Sequence, residues 1–268
     1  MGMVIFEESG TFNPADWGLQ VGDMLQVICV GGGAGGTVNV PQSSDKFRVV
    51  LGSAGGTTSF GTHLSAEGAS ANPSAPNGMG KGGGAGSRPD TNDEYRWLLP
   101  GGGAGGFLPG APVFGGDGGD GVYYSFSASA GVPVNSHAPS GLGGKGAWRA
   151  VTSYLYESFV DLPFANLKNA AKGNKGATAT SQSGEAAAGN GYGAGGAGAS
   201  DGYAQFSAST GPTGGNSGEL KIGTVKLTSA AGIAVTVGLG GAGATATGWA
   251  NYTATAGKGA PGVVIVTW

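Results

Sequence analysis

Leu25-Gln-Val-Ile-Cys-Val30 followed by Gly31-Gly-Gly-Ala-Gly-Gly36 is the stretch on which the fold of this chain turns. Its first half is short, apolar and β-branched, which is a strand signal. Its second half is a glycine block, and near copies follow at 82–86 (GGGAG), 101–106 (GGGAGG) and 193–198 (GAGGAG). Glycine loses more backbone entropy on folding than any other residue, so such blocks become ordered only where chains approach more closely than a Cβ allows. With 60 glycines in 268 residues, most ordinary enzyme folds are excluded.

Two conformations suit the blocks: irregular turns at strand ends, or packed left-handed extended helices with three residues per turn. In the second, glycine at the contact faces lets neighbours bond backbone to backbone, and hydrogen bonds replace part of an apolar core. No strict Gly-X-Y register exists, since Gly141-Leu-Gly-Gly-Lys-Gly146 breaks it, so a collagen triple helix is excluded.

Further strand signals lie mainly toward the two ends, at Val4–Phe6, Met24–Val30, Phe47–Leu51, Leu220–Thr228, Ile233–Val237 and Val263–Trp268. The spacing predicts termini that pair within one sheet. The continuously apolar final run predicts a strand inside a buried sheet. Glycine and proline make up more than a quarter of the chain, a proportion often found in disorder. Only 11% of residues are charged, however, and five Trp, eight Tyr and ten Phe are more than a solvated tail carries. The composition therefore predicts an ordered all-β chain, a single glycine-rich, β-sandwich-like domain over 1–268.

Three inserts stand apart from the glycine blocks, at about 91–100 (TNDEYRWLLP), 121–126 (GVYYSF) and 147–172. In the last, Val151, Tyr154, Leu155 and Phe159 fall at helical spacing, which predicts one or two short helices broken at Pro163.

The net charge of −3, with thirteen Lys and Arg scattered along the chain, provides no basic face and excludes nucleic acid as a partner. Cys29, the single cysteine, lies in an apolar run and reads as a small buried hydrophobe. The opening residues lack a basic region and meet Glu7 and Glu8 at once, so the sequence predicts cytoplasmic synthesis without a signal peptide. No run approaches the roughly 20 apolar residues of a membrane-spanning helix.

Several motifs look chemical. Gly31, Gly33 and Gly36 match G-x-G-x-x-G after a strand, yet Thr37-Val-Asn-Val-Pro41 is not a helix start, so a dinucleotide site is not expected. Gly115-Gly-Asp-Gly-Gly-Asp-Gly121 resembles one calcium-binding turn of β-roll proteins, with Asp117 and Asp120 as weak candidates; a single copy favours a plain turn and no metal. His63 and His137 have no zinc-ligand spacing, and no G-x-S-x-G elbow occurs. Asp93, Glu94, Glu157 and Asp161 are the acids available to a glycosidase, but they read better as solvated loop residues. The expectation is a protein without catalytic residues or cofactors.

Ser9-Gly-Thr-Phe12, the strand running into Gly31–Gly36, Thr58-Ser-Phe-Gly-Thr-His-Leu-Ser-Ala66, Val235 to Gly243 and Gly259 to Trp268 together resemble the glycine-rich domain of phage and prophage tail-fibre proteins. The alternation of glycine motifs with variable inserts resembles the distal tail-fibre adhesins of T-even-like phages, without their N-terminal attachment domain. This resemblance implies packed glycine helices that present loops to a bacterial surface receptor, location in the virion tail fibre, other virion proteins as partners and a homotrimer. No heptad pattern enforces the trimer. Aromatic residues and Arg serve most often as binding anchors, and aromatic faces stack on sugar rings. On that ground Tyr95, Arg96, Trp97, Tyr123, Tyr124, Trp148, Tyr154 and Tyr156 are the candidate receptor contacts. The competing readings are a purely structural virion component, a capsule-degrading glycosidase, and an ice-binding protein, whose flat face the aromatic inserts would spoil.

Overall fold

The computed structural model describes residues 2–43, 46–73, 75, 77–82, 86–89, 96–99, 102–107, 124–126, 133–135, 177–178, 183–185, 191–200, 213–248 and 253–268. The chain is all-β. The expected helices of 147–172 lie outside the described residues.

The continuously apolar strands come first because they build the platform. β1 (Met3–Phe6), β19 (Val263–Thr267), β3 (Met24–Val30) and β15 (Leu220–Lys226) form one antiparallel sheet in that order. The chain ends do pair, with Met3 opposite Thr267 and Phe6 opposite Val264. β19 lies between β1 and β3, and all five of its residues are buried. β2 (Gly10–Phe12), β16 (Ile233–Thr236), β6 (Thr58–Phe60) and β7 (Leu64–Ala66) form a second antiparallel sheet. Phe12, Phe60, Val27, Cys29, Val235 and Val264 interdigitate between the two sheets as the core of a β-sandwich. The opposite face of the first sheet is apolar as well, and Met79 and Phe107 cover Ile28, Val30, Val263 and Ile265 there.

Beyond the sandwich the same strands continue as glycine helices. Segment 31–37 follows β3, and its amides donate in strict rotation. Gly31, Ala34 and Thr37 bond to the carbonyls of Glu219, Asn216 and Thr213; Gly32 and Gly35 bond to Gly56 and Ser53; Gly33 and Gly36 bond to Ala260 and Gly257. In each set the donor number rises by three while the acceptor number falls by three, so these three neighbours run antiparallel. Segment 31–37 also accepts from Ala69, from Gly196 and Ala199, and from Gly241 and Ala244. It is thus surrounded by six hydrogen-bonded segments. The glycines of 31–36 keep φ outside the left-handed region, and a three-residue repeat with such φ is the left-handed extended helix. Exposure follows the same period in segment 237–244: Gly238, Gly241 and Ala244 are buried, whereas Leu239 and Ala242 face water. Of the two conformations open to the blocks, the packed helix is the one found at 31–36.

The need for glycine is steric. A Cβ on Gly33 would lie 1.9 Å from the Ala194 carbonyl oxygen, and one on Gly35 would lie 2.0 Å from that of Ala242. No backbone shift of a few tenths of an ångström relieves such a clash when every neighbour is itself held on several sides.

On the far side of this lattice the chain returns to strands. β4 (Val38–Ser43) pairs antiparallel with β5 (Lys46–Val50) and parallel with β14 (Ala199–Ser200), which pairs parallel with β12 (Ala177–Thr178). The β4–β5 register shifts between Pro41 and Ser43, a place where proline, lacking an N–H, is tolerated. β13 (Ser183–Glu185), β18 (Thr253–Thr255) and β17 (Thr245–Thr247) form a second sheet there. Val38, Val40, Ala199, Ala244, Ala246, Ala254 and Ala256 fill the space between these sheets with small side chains. β8 (Gly86–Pro89) with β9 (Arg96–Leu99), and β10 (Tyr124–Phe126) with β11 (Pro133–Asn135), are two-stranded hairpins.

Candidate functional site

The lattice separates two ends of the molecule. Val30 and Val263 mark the sandwich side, and Met79 and Phe107 pack against them there. Segment 78–82 therefore starts at the sandwich and segment 102–107 ends at it, so the connection holding β8 and β9 emerges on the opposite side. Gly82 and Gly102 mark that exit: the Gly82 amide bonds to Asn216 Oδ1, and a Cβ on Gly214 would lie 1.8 Å from the Gly102 oxygen. The β4–β5 turn, the connection from Ser200 to Thr213 and the β17–β18 turn leave the same side, because Thr37, Thr213, Ala244 and Ala256 all close the lattice there. We call this the insert side. The connection 108–190 is different, since Phe107 and Tyr192 exchange backbone hydrogen bonds of 2.8 Å at the sandwich side, while its strands β12 and β13 add to the insert-side sheets.

Of the sequence-selected contact residues, Arg96 and Trp97 lie on β9, opposite Pro89 and Arg88, and Tyr124 lies on β10, opposite Asn135. Tyr95, Tyr123, Trp148, Tyr154 and Tyr156 lie outside the described residues, as do Asp117 and Asp120, His137, and Asp93, Glu94, Glu157 and Asp161. The backbone thus assigns Arg96 and Trp97 to one hairpin and Tyr124 to another.

Sequence reasoning missed a hydroxyl ladder on β17 and β18. Thr245 donates to Thr255 at 3.2 Å, and the Thr247 and Thr253 hydroxyls lie 2.9 Å apart, with Ala246 and Ala254 buried beneath. The repeated Thr-Ala-Thr at 245–247 and 253–255 was the signal, an alternation with the small residue inward. Arg48 on β5 and Lys258 on segment 256–262 are exposed as well. Asn39, on β4, is buried, and its Oδ1 has no hydrogen-bond partner.

The remaining titratable groups are structural. Burial pushes the Cys29 thiol from 9.0 up to about 12, against a smaller lowering by a backbone hydrogen bond from Phe60, so the thiol is held neutral. The stability that goes with this shift is fully present below pH 9 and is lost as pH rises toward 12, because the unfolded thiol ionises first. Burial likewise raises the Tyr192 phenol to about 12, and the hydrogen bond it donates to Glu7 and the Glu7 charge add to the effect. That contact ties the return of the 108–190 connection to the sandwich. His63 occupies the β6–β7 turn, its ring 6.3 Å from that of Phe60. Among the described residues no group of three or more His, Cys, Asp or Glu is placed to hold a metal, and no helix is long and apolar enough to cross a membrane. Comparison with protein-family models, curated proteins and solved structures returns no match.

Proposed function

We propose that this chain is the receptor-binding component of a phage tail fibre, a non-catalytic adhesin that carries no cofactor. The observation that carries the reading is the lattice itself: helix 31–37 is bonded on six sides, and Thr37, Gly82, Gly102, Thr213, Ala244 and Ala256, which anchor the connections at 38–51, 83–101, 200–212 and 245–255, lie together at one end of it. A platform whose backbone is already fixed lowers the ordering entropy lost when its loops bind. Aromatic residues and Arg on those connections supply stacking faces for sugar rings or buried anchors against a protein, which fits a bacterial surface glycan or outer-surface protein. The resemblance to tail-fibre proteins supports the same reading, and with it synthesis in the host cytoplasm, location in the virion and a homotrimer.

Binding of the purified protein to a panel of bacterial strains that includes the host tests the reading, with Tyr95→Ala, Arg96→Ala and Trp97→Ala combined as the variant. The expected result is strain-selective binding that the variant loses by about tenfold or more, the effect of removing hot-spot side chains. Absence of binding to every strain by the wild type would instead assign the chain a structural role in the particle.

A further inference from the structure

On one flank the lattice ends in three helices whose outer residues face water. Segments 51–57, 238–244 and 256–262 lie side by side there: the Ser53 and Gly56 amides bond to the Ala242 and Leu239 carbonyls, and the Gly259 and Gly262 amides bond to those of Gly241 and Gly238. Each segment turns one residue in three outward. Leu51, Ala54 and Thr57 are exposed on the first, Leu239 and Ala242 on the second, Lys258 and Pro261 on the third. Among the described residues the amides of Ala54, Leu239, Ala242 and Lys258 have no hydrogen-bond partner, and Pro261 has no N–H.

A row of unpaired amides at fixed spacing is what the edge of a β-sheet presents, and such edges recruit further chains unless charge, proline or a bulge blunts them. A glycine lattice has a steric requirement as well. Where the helices of this molecule meet, a Cβ on Gly241 would lie 2.0 Å from the Ser53 oxygen, one on Gly259 2.1 Å from that of Gly33 and one on Gly55 1.9 Å from that of Gly32. A further helix packs at this spacing only against rows with little or no side chain. Alanine finds room at interior positions such as Ala34, so Leu51, Leu239, Lys258 and Pro261 obstruct the flank most. Lys258 and Pro261 are also the residue types that blunt strand edges.

We propose that Leu51, Ala54, Leu239, Ala242, Lys258 and Pro261 form a guard row that stops the glycine lattice of one chain from joining that of a second copy. Without these side chains the open amides would meet the carbonyls of a neighbouring lattice, and the flank would become an interface. The inference is independent of what the insert side binds. The homotrimer proposed above then assembles through another face.

The test combines Ala54→Gly, Leu239→Gly and Ala242→Gly in the full chain and compares it with the combination Ala54→Ser, Leu239→Ser and Ala242→Ser, which keeps each Cβ. Both sets remove the exposed leucine, so association driven by apolar burial would weaken in both. The glycine variant should instead show a sedimentation mass that rises with concentration to about twice that of the wild type or more, as mass action requires of added copies. The serine variant should keep the wild-type mass. In the associated glycine variant the amides at 239 and 242 should exchange with deuterium more slowly, whereas in the wild type the amides of Ala54, Leu239, Ala242 and Lys258 should exchange fast at every concentration. A glycine variant that retains a cooperative urea transition and the wild-type mass at every concentration would overturn the proposal. If the triple variant does not fold, Leu239→Gly alone, at a side chain that is 77% exposed, is read by the same criterion with a smaller rise expected. Slow exchange of the four amides in the wild type would also overturn the proposal, because a second copy would then already cover the flank.

Discussion

Gly33→Ala should destabilise the fold severely. The added methyl group would lie 1.9 Å from the Ala194 oxygen, 2.4 Å from its carbonyl carbon and 2.7 Å from the Gly193 oxygen. These are backbone atoms, and Ala194 is itself tied into the lattice, its carbonyl accepting from the Ala260 amide. Ordinary overpacking costs about 1–3 kcal/mol because side chains can give way. Here nothing can give way without breaking several backbone hydrogen bonds at once, so the loss should reach or exceed about 3 kcal/mol, against a total stability of about 5–15 kcal/mol. Gly10→Ala is the matched control. A Cβ there meets only Phe6 Cδ1 at 4.0 Å, and Gly10 has no positive φ. That change should be neutral or stabilising by up to about 1 kcal/mol, through the unfolded chain. Urea denaturation of the two variants beside the wild type gives the comparison.

Removal of the last strand should be as severe. β19 is the neighbour of both β1 and β3, and Val263, Val264, Ile265 and Val266 are each no more than 2% exposed. Full burial of a Val or Ile contributes about 1.5–3 kcal/mol, so four of them contribute an amount comparable to the whole stability of a domain. Loss of β19 would also leave β1 without its partner and strip Trp268 from Phe12 and Trp17. A chain ending at residue 262 should show no cooperative thermal transition by circular dichroism. A retained transition near the wild-type midpoint would show that the lattice holds the fold without the sandwich.

The strands that form the sandwich could be read from the sequence because their apolar β-branched runs are long. β3 was found with its observed limits. The Phe47–Leu51 run was displaced by one residue from β5, and Leu220–Thr228 overran β15, which ends at Lys226. The three-residue strands β2, β6, β7, β17 and β18 gave no comparable signal, since their Thr, Ser and Ala residues also suit loops. The lattice was visible only as an excess of glycine. Its three-residue period is carried by backbone hydrogen bonds and hardly at all by side chains, so buried Ala34 can stand among glycines without marking the register.

The candidate site was legible to a different extent at its two ends. The aromatic inserts stood out by composition, and the structure puts Arg96 and Trp97 on the β8–β9 hairpin. The Thr ladder needed the pairing of β17 with β18 before Thr245 and Thr255 could be seen as neighbours.

That glycine helices form the rigid core of this molecule is tested most directly by native-state hydrogen exchange at the amides of residues 31–37. Each donates to a carbonyl of a neighbouring segment in the middle of the lattice. They should exchange as slowly as the amides of β3 and β19, with opening free energies that approach the global value. Rapid exchange, as in a mobile glycine loop, would contradict the account and leave the sandwich as the only rigid part of the structure.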